Sequence, residues 1–90
     1  MNIDFSRIRD IYGEEMLNLI EINADAVLKN IEYLITLGFN DYIDIFERYP
    51  IIFIEEHSSF KTKFDNLIIK IGNDFVNIIE NDLSVLECLL

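Results

Sequence analysis

The octapeptide NDYIDIFE at 40–47 returns as NDFVNIIE at 73–80, and this recurrence restricts the folds open to the chain more than any other feature. In each copy a polar pair precedes apolar residues at helical spacing and a closing Glu, the pattern of a short amphipathic helix. Sliding the chain along itself by 33 residues, without a gap, lays Val27, Ile31, Leu34 and Ile35 on Phe60, Phe64, Leu67 and Ile68. The same shift lays Asn40, Asp41, Ile45 and Glu47 on Asn73, Asp74, Ile78 and Glu80, while Gly38 and Gly72 miss by one position. Repeats of this kind are helical units that each expose an apolar face until a neighbour covers it. EEMLNLIE at 14–21 reads as a fainter copy, set 26 residues before the second rather than 33.

Taken in order, residues 1–22 read as a helix started by Asp4 or Ser6 and split or kinked at Gly13. Asn23 caps a second helix over about 24–37, ended by Gly38 at the left-handed position a helix C-terminus favours. Asn40 caps the next, with Tyr42, Ile45, Phe46 and Tyr49 inward and Asp41, Asp44 and Glu47 on the other side. Pro50 stops it, because its ring disfavours helical geometry at Tyr49 and it has no N–H to donate. Ile51–Ile54 has no second strand to pair with, so a tight helical turn or buried connector is expected. His57-Ser58-Ser59 caps a helix over about 59–71, Gly72 closes it, and Asn73 caps the second copy. Asp82 or Ser84 begins a last apolar helix running from Leu83 to Leu90, an apolar end that packs back onto the core, meets another chain or continues into a longer protein. The fold class that follows is all-α: five to six short helices in one domain over 1–90, as two stacked helical hairpins plus an N-terminal helix.

Charge narrows the partners. Seventeen acidic against 7 basic residues give a net charge of −10, which repels phosphate backbones and anionic lipid surfaces and steers basic proteins inward. Direct nucleic-acid and membrane binding are therefore not expected. With 51% hydrophobic residues the chain is too apolar for a disordered segment. Cys88 is the single cysteine, so no internal disulfide forms and a cytoplasmic setting is expected. The opening MNIDFSRIRD is charged where a signal peptide is apolar.

The span 27–86 resembles the helical repeat of the mitochondrial transcription termination factor (mTERF) family. The likeness lies in LITLGFNDYIDIFERYPIIF at 34–53, where Leu37, Gly38, Arg48 and Pro50 match that family's pattern. The second copy has Leu83 where the proline would fall. The resemblance implies a helical-repeat fold. Members of that family wind many repeats around nucleic acid on a basic inner surface; this chain has few repeats and the opposite charge, so only the fold is carried across.

Residues with catalytic chemistry are sparse. A nucleophilic triad needs a base beside Ser or Cys and a third group to orient it; His57 is the single histidine, and it reads as a loop or cap residue. Cys88 lies among leucines next to Glu87, the reverse of the basic surroundings that make a thiolate. One histidine cannot complete a paired Glu-x-x-His metal site, no calcium loop occurs, and three glycines do not make a phosphate cradle. No cofactor, no metal and no enzymatic activity are expected. The function expected instead is a non-catalytic protein–protein interaction module, self-associating through the C-terminal helix in its simplest form. The residues expected to carry it are Tyr42, Tyr49, Leu86, Leu89, Leu90, Asp41, Asp44 and Glu47. The alternative is an acidic mimic of nucleic acid that occupies a basic protein's groove.

Overall fold

A computed structural model describes residues 5–90, and every described element is helical. In chain order these are α1 (Ser6–Tyr12), α2 (Glu14–Ile22), α3 (Ala24–Thr36), α4 (Tyr42–Arg48), α5 (Pro50–Phe53), α6 (His57–Ile71), α7 (Phe75–Asn81) and a C-terminal 3₁₀ helix, Leu83–Leu89. Eight segments replace the expected five to six, for two local reasons. Gly13 divides the first helix into α1 and α2, and Ile51, Ile52 and Phe53 join Pro50 in a one-turn helix of their own. Asp4 lies outside the described residues, and Ser6 is already the first residue of α1, with Phe5 at the capping position.

The 33-residue period is written into the element boundaries. Ala24 and His57 open α3 and α6, Tyr42 and Phe75 open α4 and α7, and Pro50 and Leu83 open α5 and the 3₁₀ helix. Each of the three pairs of starts is 33 residues apart. The glycine mismatch is absorbed between them, since α6 runs two residues longer than α3 and the following loop is shorter. Gly38 and Gly72 both take φ near +100°, where a Cβ is strained. The N-terminal half-copy is placed differently from the expectation. α1 and α4 are both seven-residue helices followed by one non-helical residue and a further helix, so α1 rather than 14–21 corresponds to 42–48.

One apolar core runs through all the units. Ile8, Ile20, Val27, Ile31, Leu34, Ile45, Phe46, Phe53, Phe60, Phe64, Ile79 and Leu86 are fully buried in it. Its axis is a relay of aromatic rings. Phe5 meets Phe46 at 5.8 Å, Phe46 meets Phe53 at 5.4 Å, Phe53 meets Phe60 at 5.2 Å and Phe60 meets Phe64 at 4.7 Å between centroids. Tilted and edge-on pairs of this kind add to area burial because ring edges and faces carry opposite partial charge. A second contact, Phe39 to Phe75 at 5.9 Å, ties the loop before α4 to the start of α7.

The C-terminus settles back onto this core. Leu83, Leu86 and Leu89 are buried, and their spacing of three residues matches the 3₁₀ helix, whose turn holds three. Leu86 and Leu89, expected as partner contacts, are therefore core residues; of the three leucines named for that role only Leu90 stands in solvent. Asp82 supplies the expected cap, accepting from the Ser84 N–H at 3.2 Å.

Candidate interaction surface

Between α6 and the 3₁₀ helix lies an open groove of about 440 Å³, lined by Lys63, Asn66, Leu67, Lys70, Cys88, Leu89 and Leu90. Its geometry comes from helical spacing: Lys63, Asn66, Leu67 and Lys70 share one face of α6, while Leu89 turns inward and Leu90 outward at the chain's end. On the other side of Leu90 a smaller depression is bounded by Ile51, Ile52 and Glu55. Lys63 reaches Glu55 at 2.5 Å and so ties α6 to the loop after α5. The Cys88 thiol donates to the Val85 carbonyl at 3.2 Å and is exposed.

The units are fastened by their closing glutamates. Glu80 of α7 reaches back to the start of α4 and accepts hydrogen bonds from the N–H groups of Asn40 and Asp41, both at 2.8 Å. Glu47, its counterpart in the preceding copy, reaches back to α1 and pairs with Arg7 at 3.0 Å. The Tyr12 hydroxyl completes that joint by sharing its one proton between the Glu47 and Arg48 carbonyls, at 2.7 and 2.9 Å, two C-terminal groups of α4 that lack helical partners. Burial raises the Tyr12 pKa, with Arg48 opposing.

These contacts redistribute the expected binding residues. Asp41 and Asp44 are exposed, while Glu47 is half-buried and neutralised by Arg7. Tyr42 and Tyr49 are half-buried against the core. Arg7, Ile11, Tyr12, Asp44, Glu47 and Arg48 line a shallow depression of about 380 Å³ of mixed charge. The acids on this face are therefore interrupted by guanidinium groups.

Sequence reasoning passed over Asn30, which the fold buries completely. Its amide donates to the Phe53 and Glu55 carbonyls at 2.9 and 3.0 Å, the open C-terminal end of α5. With both amide hydrogens committed, its Oδ1 is an acceptor, and His57 Nδ1 at 2.9 Å must carry the proton. His57 also stacks edge-on to Tyr33 at 6.0 Å. The Tyr33 hydroxyl donates to Asp65, whose other oxygen takes Lys61 at 3.0 Å. Burial and then that hydrogen bond push the Tyr33 pKa up to about 12, and the same bond, aided by Lys61, lowers that of Asp65. An inward-facing Asn between Val27 and Leu34 was the available signal. This network joins α3, α5 and α6, and its imidazole is held by an amide rather than a carboxylate.

Among the described residues no group of three or more His, Cys, Asp or Glu is placed to hold a metal ion. No helix among them is long and apolar enough to cross a membrane. Compared with protein-family models, curated proteins and solved structures, the chain finds no match in any of the three.

Proposed function

We propose that this chain is a non-catalytic protein–protein interaction module, a short stack of helical repeats that receives its partner on the outer face of the last one. In this reading α3–α4–α5 and α6–α7 with the 3₁₀ helix are two stacked helical hairpins, with α1 and α2 laid against them. The likeness to the mTERF-type repeat stays a proposal about fold alone. The unpaired thiol of Cys88 suits a reducing compartment such as the cytoplasm.

The carrying observation is a contrast between equivalent positions. Leu28, Tyr33, Leu37, Tyr49 and Ile54 are half-buried in the second copy. At the same places the third copy has Lys61, Asn66, Lys70, Asp82 and Glu87, all exposed. The outer side of the third copy is thus polar where that of the second is apolar. Against that background Leu90 stands 68% exposed in the α6 groove, while Ile69, 79% exposed, lies on α6 outside the groove's lining. Leu90 with Leu67 and Leu89 gives the groove an apolar wall on an otherwise polar face, and this supports the binding reading. The test is affinity capture from a lysate of the source cells, run in parallel with an Ile69→Asp/Leu90→Asp double variant. Proteins held by the wild type and lost by the variant support the reading; identical sets overturn it.

The alternative, an acidic mimic of nucleic acid, draws on Asp41 and Asp44, which do face solvent on α4. Arg7 and Arg48 break the run of negative charge beside them, which leaves this reading the weaker one. Binding to basic proteins that is insensitive to salt contradicts it.

A further inference from the structure

We propose that the partner seated on the last repeat is a second copy of this chain, docked head to tail through the outer face of α2. This rests on the interaction-module reading above. Of the exposed aliphatic residues, Ile11, Leu19 and Ile22 are on α1 and α2, Ile69, Ile78 and Leu90 are on the last repeat, and Ile35 and Ile51 are on α3 and α5. Ile22 at 79% and Leu90 at 68% are the most prominent side chains of their groups, with Ile69.

Charge decides how two copies meet. On α2, Glu14, Asn18 and Glu21 flank the aliphatic stripe and are exposed, and α2 carries no cation. On α6, Lys63, Asn66 and Lys70 flank the groove and are exposed. Each pair of like charges is seven residues apart with an Asn between, so both span about 10.5 Å at 1.5 Å per helical residue. Lys70 has no ion pair within the described residues, and Lys63, held by Glu55, has ammonium donors to spare. A chain of net charge −10 repels its copies at most orientations. Setting α6 on α6 opposes lysines, and α2 on α2 opposes glutamates. Of these pairings α2 on α6 alone sets Glu14 and Glu21 against lysines, with Ile22 facing Leu90.

The two faces belong to different helices that both pack on α3, so one molecule offers both. A standard interface takes roughly 800 Å² from each partner, a modest share of the 5389 Å² this chain exposes. The contact is heterologous, and the assembly grows by addition rather than closing as a two-fold dimer.

Sedimentation velocity on the full chain, from micromolar to millimolar concentration, reads the proposal. Wild type forms dimers and longer species that shrink as salt rises. Ile22→Asp alone and Leu90→Asp alone are monomeric, with wild-type circular dichroism. Mixed together they form a heterodimer, because each keeps the face the other lacks. Glu21→Lys and Lys70→Glu each weaken association about fivefold, and the double variant regains it. Wild type that stays monomeric at millimolar concentration, or a variant mixture that stays monomeric, overturns the proposal. Dimers lost in Leu90→Asp but unchanged in Ile22→Asp overturn it as well, since they describe a symmetric contact. If the chain is monomeric while capture of other proteins still depends on Ile69 and Leu90, self-docking falls and the module reading stands.

Discussion

Glu80 caps a helix that begins at Tyr42, through Asp41: one carboxylate oxygen accepts from the N–H of Asp41 and of its neighbour Asn40, both at 2.8 Å. The residues at the mouth of α4 supply no side-chain cap of their own. Local capping has thus been replaced by a contact between repeats, and helix termination and repeat stacking share one side chain. Glu80→Ala should lower stability by about 1–2 kcal/mol, the range for losing a helix cap. Glu80→Gln, which keeps an acceptor, should lose less. Urea unfolding midpoints at constant slope check both.

Asn30 serves three partners at once and is fully buried. Replacing it with Leu, of similar size, strands two carbonyls and the His57 N–H. The expected cost is about 2–3 kcal/mol, the scale of buried groups left unpaired. Gaining stability from this change, as a buried apolar replacement sometimes does, contradicts the hydrogen-bond assignment.

Tyr33 and Asp65 give stability a defined pH dependence. The folded state raises Tyr33 from 10.0 to about 12, so its contribution is whole below pH 10 and is lost as pH climbs toward 12. It lowers Asp65 below 3.8, so that contribution is whole above this value and disappears on acidification. Tyr33→Phe should remove the alkaline loss and let Asp65 titrate closer to 3.8. An NMR titration of the Asp65 side chain reads the second effect directly.

Leu86 and Leu90 separate core from surface at the chain's end. Leu86→Ala should cost about 2–5 kcal/mol as a cavity in the core. Leu90→Ala should stay within about 0.5 kcal/mol. Equal effects on the urea midpoint contradict the packing of the 3₁₀ helix.

Much of the fold could be read from period alone. The faces of α3 and α6, the break at Gly13, the turn after Pro50 and the 33-residue shift all follow from residues close in sequence, where helical spacing governs. Capping could not be read in the same way, because the partner of Asn40 is 40 residues away. Asn40 and Asn73 looked like caps by composition, yet α4 and α7 begin after Asp41 and Asp74. The end of the chain, open in sequence between packing on the core and meeting another chain, was undecided for another reason. Leu83, Leu86 and Leu89 repeat every three residues, a 3₁₀ signature that an α-helical template of 3.6 blurs into a generally apolar tail. The surface was harder still. The polar replacements on the last repeat acquire meaning only when each is set beside its half-buried equivalent, and that needs the burial pattern.

The second and third copies share one core, and NOE spectroscopy of the intact chain tests this most directly. A Cβ placed on Gly38 would stand 4.0 Å from a Val76 methyl carbon, and the Phe39 and Phe75 rings are 5.9 Å apart. Cross-peaks from Phe39 to Phe75 and from the Gly38 α-protons to the Val76 methyl are predicted. Helical shifts for α3, α4, α6 and α7 with neither cross-peak present would contradict the stack.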